Sequence, residues 1–550
     1  MAQQTAKSLK TKAISDLEAG KLAQALKKAQ LGVKKFPKDT DYLAIAGFVL
    51  TEMQQYRKSI PYFAEAAKRK PEDPQFAENL ANALMQTGQI PRALSYAEQK
   101  LKVFPDNKEL VRVTDEIQLK GKNWRLIIDH ATKRLQAEPD NAEMLSNRGR
   151  AYGQIAFNEQ ATRDIARAYE LAPDVEDIAI RRATNLHQSG DKEGAKEILD
   201  RIFARNPKNA AVLYPLAESA PEDEFPVLRT AIENAIAQSE QRDSVLEFAK
   251  AILLRRSEGL DASMPQFAKA NTAQHESNPY DPNLEEQTFE TLCRLFPVDA
   301  PAPSSDVIQS PQPIFVIGQP RSGTTLMEMM LSSAPGIAGC GELMISGDLS
   351  AEPYQKGVPF TSEDATVFAG EYRKLLPPIP EDTIAFVDKM PHNYQQVGFL
   401  LAAFPNARVI NMLRDPRDVG LSKWIRRFPA PGMRYASNLE AIAHSANLYR
   451  KYMAHWQKGF GDRILTVPYE DLVSDPETLS RKVTDFCGIP WHEKMVQPEK
   501  NTKLVKTASI DQVRNKISTK SIGGWRAVED HIRPMLEGFD PALWPEYDLS

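Results

Sequence analysis

Six prolines, at positions 37, 71, 105, 139, 173 and 207, are separated by intervals of 34 residues. Most follow an apolar or alanine-rich run and precede an acidic or amide residue, as in Phe36-Pro-Lys-Asp, Phe104-Pro-Asp-Asn, Glu138-Pro-Asp-Asn and Asn206-Pro-Lys-Asn. A proline in that setting stops one helix, and the Asp or Asn behind it can cap the next. Small residues recur in phase: Gly47, Ala81, Gly149 and Ala183 share one register position, and Ala25, Ala93, Ala161 and Ala195 another. Side chains that small let paired helices approach closely. Gly20, Gly88 and Gly190 mark the turn within a repeat.

Thirty-four residues is the period of the tetratricopeptide repeat, a helix–turn–helix unit that stacks into a solenoid with an extended concave face. The spacing predicts about six such units over residues 1–209. The third and fourth units carry Asp115, Ile127 and Arg134 where small residues are expected, which predicts irregularity in the middle of the array. Residues 210–296 stay helical without the period and are expected to cap the array and pack on the C-terminal domain. The run Pro297-Val-Asp-Ala-Pro-Ala-Pro marks residues 297–312 as a linker.

Residues 313–550 change character. Apolar, β-branched runs at Ile314–Ile317, Thr383–Asp388, Ala407–Leu413 and Arg463–Val467 alternate with helical patterns, notably 392–404, 417–427 and 476–486. That alternation predicts an α/β domain with a parallel sheet and its chemistry at the carboxyl ends of the strands. The first run leads into Gly318-Gln-Pro-Arg-Ser-Gly-Thr-Thr325 and then a helix from Thr324 to Leu331 with Leu326, Met330 and Leu331 on its apolar side. Strand, glycine-bounded loop and helix N-terminus together cradle a phosphate, because the first-turn N–H groups are unpaired and the helix dipole is positive there. The G-x-x-x-x-G-K-[ST] loop of nucleotide triphosphatases fits at Gly318, Gly323 and Thr325, but Thr324 stands where that loop has its lysine. A γ-phosphate needs the lysine, so the ligand expected here lacks one. After the third run, Arg414 and Ser422 are eight residues apart, placed to meet one anion, while Asp415 and Pro416 fit a helix cap.

Composition narrows the class. The 69 basic and 73 acidic residues leave a net charge of −4, which argues against bulk nucleic-acid binding. Three scattered cysteines, Cys293, Cys340 and Cys487, form neither a disulfide framework nor a zinc site, and a reducing, cytoplasmic setting is expected. No apolar stretch approaches the ~20 residues that span a bilayer, and Met1 leads straight into a polar helical pattern without a signal-peptide core.

At two motifs the chain resembles sulfotransferases that use 3′-phosphoadenosine 5′-phosphosulfate (PAPS). Gly318–Thr325 resembles the family's 5′-phosphosulfate loop, and Arg408-Val-Ile-Asn-Met-Leu-Arg-Asp-Pro-Arg-Asp-Val-Gly-Leu-Ser422 its 3′-phosphate motif. The branch it is most similar to joins tetratricopeptide repeats to a domain related to protein-tyrosine sulfotransferases, and the catalytic resemblance covers roughly residues 313–530. The resemblance implies that Ser322, Gly323, Thr324 and Thr325 hold the 5′-phosphosulfate, that Arg414 and Ser422, with Arg426, hold the 3′-phosphate, and that no metal is needed. It implies that Arg321 and Lys389 stabilise charge during transfer. Glu342, in Cys340-Gly-Glu342, matches the family's base in the tyrosine enzymes, which carry a second Glu where this chain has Leu343. His392 competes for that role, since many cytosolic relatives use histidine.

Tyr469 and Ser509 match donor-contacting residues, and 507–514 with 520–525 resembles a C-terminal closure over the donor. Gly524 stands where tyrosine sulfotransferases carry a lysine, leaving Lys520 or Arg526 to supply that charge. The acceptor expected is a hydroxyl, on a peptide or protein bound by the concave face of the repeats, though these residues leave a glycan, lipid or small phenol open. A phosphate-loop kinase or an inactive interaction scaffold are the competing readings.

Overall fold

The computed structural model describes residues 5–105, 107–121, 123–239, 242–501 and 515–549. They fall into two compact units, Met1–Gln154 and Ile155–Ser550. The first unit is a succession of helix pairs, Ala6–Glu18 with Leu22–Lys35, Asp41–Glu52 with Tyr56–Arg69, and onward to Ala142–Gln154. In five of the six repeats the second helix ends two residues before the phased proline, at Lys35, Arg69, Ala137, Leu171 and Arg205. The polar residue behind the proline then caps the next helix. Asn107, Asn141 and Asn209 accept from the backbone N–H of Leu110, Met144 and Ala211 at 2.7, 3.0 and 3.0 Å, and Asp73 accepts from Gln75.

The within-repeat turn needs a left-handed residue. Gly20, Gly88 and Gly190 supply it with φ of 70°, 76° and 96°, and so, in the same register, do Gln54 (56°) and Ala156 (62°). The turn is therefore dictated by the stacked helices, not by glycine alone. The in-phase alanines and glycines are buried, and a Cβ at Gly47 would lie 2.5 Å from the Phe63 ring. The irregularity expected near Asp115 and Ile127 does not interrupt the helices, which run intact over Lys108–Lys120 and Trp124–Ala137. Ile127 is buried, and the Asp115 carboxylate is met by His130 Nδ1 at 2.8 Å, so the larger side chains are absorbed by packing and pairing.

The second unit holds the remaining repeat helices, a non-periodic helical stretch ending at Leu295, and a five-stranded sheet. The strands are β1 (Gln312–Gly318), β2 (Ile337–Gly339), β3 (Ala385–Asp388), β4 (Arg408–Leu413) and β5 (Ile464–Pro468). All neighbours are parallel, in the order β2-β3-β1-β4-β5. The chain leaves β1 toward β2 and β3 on one side and later builds β4 and β5 on the other. The strand order thus reverses between β1 and β4, which opens a crevice at their carboxyl ends.

Side chains alternate across the sheet. Ile314 and Val316 point into a core with the helix Thr324–Ser332, while Phe315 and Ile317 point into the opposite core, which is continuous with Leu213, Phe248 and Phe267 of the non-periodic helices. Asn271 Nδ2 donates to the Trp424 carbonyl at 2.8 Å, and Gln274 Nε2 to that of Phe428 at 2.7 Å, tying those helices to the segment beyond β4. Within the proline-rich run Ser305 donates through N to Ala402 O and through Oγ to Ala403 O. The segment is docked, not dangling.

Three local differences from the expected elements stand out. β2 is the edge strand and, at three residues, too short for an apolar run to reveal it. The 392–404 helix is two pieces, a 3-10 turn Pro391–Gln395 and a helix Val397–Ala403, and the helix after β4 stops at Trp424. No helix among the described residues is long and apolar enough to cross a membrane.

Candidate active site

The β1 loop is shaped by what surrounds it. Gly318 has φ of 146°, and a Cβ there would lie 2.5 Å from Met412 O and 2.7 Å from Ser322 Oγ. Gly323 has φ of 101°, and its Cβ would meet the Tyr469 ring at 2.5 Å. Both positions exclude a side chain twice over, by conformation and by space. Arg321 adopts φ of 80°, a costly left-handed conformation for a non-glycine residue and one that clusters at functional loops. Thr324 and Thr325 are buried in the first turn of the helix Thr324–Ser332, whose Gly323 cap offers no side-chain acceptor. Ser322 Oγ is buried without a hydrogen-bond partner. The loop therefore presents backbone donors and an unsatisfied hydroxyl to one spot.

The helix is buried nearly all round, where one apolar side was expected. Its Glu328, which sequence reasoning passed over, turns back to the strand ends. Glu328 Oε1 accepts from Gly341 N at 2.7 Å, and Oε2 lies 3.9 Å from Lys389 Nζ.

Parallel pairing of Gly318 with Met412 puts the start of the 3′-phosphate-like motif beside the loop. Arg414 donates from Nη1 to Arg321 O at 3.1 Å and from Nη2 to Ser521 O at 2.7 Å, and its guanidinium stacks 4.4 Å from the Tyr469 ring centroid. Its Nε is buried without a partner. Arg321 Nε donates to Ser422 Oγ at 2.9 Å. Burial, reinforced by the charges of Arg426 and Arg414, lowers the Arg321 guanidinium to about 9. The guanidiniums of Arg321, Arg414 and Arg426 are therefore close enough to repel one another, a condition that an anion relieves. The capping reading of the same stretch holds as well, since Asp415 Oδ1 accepts from Arg417 N at 2.9 Å at the start of the helix Pro416–Trp424.

A C-terminal segment closes on this corner. Asp418 accepts from Gly523 N at 2.7 Å and Trp525 N at 3.1 Å, and Tyr469 Oη is 3.1 Å from Ser521 Oγ. Asp418 and Ser521 are anchors that only tertiary contact reveals. Lys520 and Gly524 are exposed, and Arg526 is exposed while stacking 4.9 Å from the Trp525 ring. Ser509 lies outside the described residues.

The second corner is built by β2 and β3. Beyond the strands, Cys340 N donates to Val387 O and Lys389 N to Gly341 O, each at 2.9 Å, so the pairing continues far enough to bring Glu342 opposite Lys389. Lys389 Nζ, fully buried, donates to Glu342 Oε1 at 2.5 Å, while the Glu342 side chain is 39% exposed. The adjoining Asp388 carboxylate accepts from Tyr372 Oη at 2.7 Å and Asn393 Nδ2 at 3.3 Å, and burial pushes it up to about 7. His392 Nε2 lies 3.2 Å from Tyr435 Oη; burial, and then the charge of Lys423, push it down to about 4. Lys423 is buried behind the loop, donates to Gln319 Oε1, faces the Tyr435 ring at 5.0 Å, and is lowered to about 7 by burial. Since β3 and β4 flank β1, both corners open at adjacent strand ends.

Repeat helices and a parallel α/β domain whose strand ends converge on a glycine-bounded loop define the class. Residues 313–493 match the model of the Sulfotransferase family, and residues 49–107 match a Tetratricopeptide repeat model. The chain thus carries one stretch similar to tetratricopeptide repeats and another similar to the Sulfotransferase family. An uncharacterized protein of Aquifex aeolicus (strain VF5) is 31% identical over 388 residues, 65% of this chain and 50% of that protein. A protein-tyrosine sulfotransferase of Drosophila melanogaster is 27% identical over 279 residues (42% of this chain, 53% of that one). Protein-tyrosine sulfotransferase 2 of Gallus gallus is 27% identical over 274 residues (42% and 70%). The chain spans about half the length of the first two.

Proposed function

We propose that the protein transfers a sulfuryl group from PAPS to a hydroxyl acceptor, with a protein tyrosine as the first acceptor to test. The observation that carries this reading is the loop corner. Three arginines, the orphaned Ser322 Oγ and Arg414 Nε, and two glycines that no side chain could replace meet at one corner, and together they suit an anionic ligand. These features fit the donor. Ser322, Gly323, Thr324 and Thr325 would hold its 5′ end, and Arg414, Ser422 and Arg426 its 3′-phosphate, with Tyr469 beside them. Ser509 belongs to the same proposal by sequence alone.

When bound, the donor supplies an activated sulfuryl group and a bisphosphate leaving group. Arg321 and Lys389 place positive charge where negative charge develops, and a preorganised buried cation does this without reorganisation. Glu342, half exposed and held by Lys389, is the group in reach of an entering hydroxyl and takes its proton. His392 is buried and engaged by Tyr435, while Glu342 is partly exposed, which favours Glu342 as base. The repeats bring the acceptor or a partner.

Calorimetric titration with adenosine 3′,5′-bisphosphate and with ATP, followed by a transfer assay with labelled donor, tests the reading. Binding of the bisphosphate and label transfer to a hydroxyl are expected; binding of ATP alone overturns it.

A further inference from the structure

The 34-residue register of the first unit is broken at one interface in a way that opens a cavity. In the second repeat, Tyr62 receives a hydrogen bond from Gln30, with Nε2 to Oη at 3.3 Å. One period later the tyrosine recurs as Tyr96, but the position of Gln30 is taken by Ala64. The amide and one methylene are missing, and a cavity of about 460 Å3 stands between the helices Tyr56–Arg69 and Ile90–Leu101, over the helix Pro74–Gln86. Tyr96 Oη is buried there with no hydrogen-bond partner, a group whose desolvation is left uncompensated. In the following repeat the tyrosine position is His130, which is engaged by Asp115. The vacancy belongs to this interface.

The lining has two parts. Ala64, Ala67, Leu80 and Leu84 form an apolar floor, and Lys68, Arg92 and Lys100 contribute three cations with no carboxylate among the lining residues. Lys68 and Arg92 are exposed; Arg92 Nη1 donates only to the neutral Gln89 Oε1, at 3.1 Å, and Lys100 Nζ lies 5.7 Å from the Tyr96 ring. An apolar floor ringed by unneutralised cations and one orphaned hydroxyl matches a chain that alternates an apolar side chain with carboxylates.

We propose that this cavity is a binding site for an acidic peptide segment. One apolar side chain of the segment occupies the space left by the missing glutamine. A backbone carbonyl or carboxylate accepts from Tyr96 Oη, and flanking carboxylates meet Lys68, Arg92 and Lys100. The site lies in the repeats and is independent of the activity assigned to the other unit.

The test uses the full chain and fluorescence anisotropy with a fluorescein-labelled peptide in which one leucine is flanked on both sides by glutamates, against the same peptide with glutamines. Saturable binding of the glutamate peptide that weakens as salt is raised is expected. Ala64→Gln recreates the Gln30–Tyr62 pairing at Tyr96 and narrows the cavity beside it, and is expected to weaken binding about tenfold or more. Tyr96→Phe, which keeps the shape and so guards against misfolding of the first variant, is expected to weaken it about fivefold. Equal binding of the glutamine peptide, unchanged affinity in both variants, or displacement of the peptide by a single-stranded oligonucleotide of the same length at lower concentration overturns the proposal. The bisphosphate titration is expected to be unaltered in both variants, so this site and the transfer reading fail separately.

Discussion

Lys389 Nζ lies 2.5 Å from Glu342 Oε1, a buried cation held against a carboxylate that half faces solvent. The two residues are 47 positions apart and meet because the β2–β3 pairing runs on through Cys340 and Gly341. The pair places the proposed proton acceptor beside the proposed charge stabiliser.

Separate roles predict separate losses. Lys389→Ala is expected to reduce kcat by about 10²–10³-fold while leaving adenosine bisphosphate affinity within about threefold. Glu342→Gln is expected to cost about 10²–10⁴-fold and to remove the acid limb of the pH–rate profile. Equal loss of transfer and bisphosphate binding in Lys389→Ala would reassign the lysine to binding or folding.

Gly323 tests the cradle. An alanine there faces both φ of 101° and the Tyr469 ring at 2.5 Å. Strain of about 1–3 kcal/mol is expected, and calorimetry should show bisphosphate affinity falling by at least tenfold. Retained affinity would mean that the loop does not contact the ligand.

Lys423 predicts a pH dependence of stability. Its folded value of about 7 lies below the ordinary 10.5, so between those values the unfolded chain holds a proton that the folded chain lacks. Stability from this group therefore rises with pH from about 7 to about 10, by roughly 1.4 kcal/mol per pH unit at most. Lys423→Met should flatten that rise in the difference between denaturation curves of variant and parent. Identical slopes would show that the lysine stays charged in the fold.

The left-handed turns give a reciprocal pair. Gln54→Gly relieves the cost of φ near 56° and is expected to stabilise by about 0.5–1 kcal/mol. Gly88→Ala, with φ of 76° and no heavy atom within 4 Å of the new Cβ, should destabilise by a similar amount through conformation alone. Scanning calorimetry of the two variants reads both.

Much of this was legible because it is local. The phased prolines located the helix ends, and the Asn or Asp behind them did become caps at Asp73, Asn107, Asn141 and Asn209. The strand-loop-helix around Gly318–Thr325 and the Arg414–Ser422 stretch came together as their spacing implied. Glu328, Asp418, Ser521 and Lys423 were not legible. An acid in an apolar helix, a carboxylate in a capped one, a C-terminal serine and a lysine before a tryptophan carry no pattern of their own, and each gains meaning from a partner 13 to 107 residues away.

The repeat period, the alternation of strand and helix, and the strand-loop-helix at Gly318–Thr325 are all written in the order of the amino acids, because each depends on residues close along the chain. Which strand ends meet, which cations are buried together, and where Tyr96 loses the partner that Tyr62 keeps emerge from the folded molecule. Those outcomes depend on desolvation and on contacts across the sheet and between repeats, and local order encodes neither.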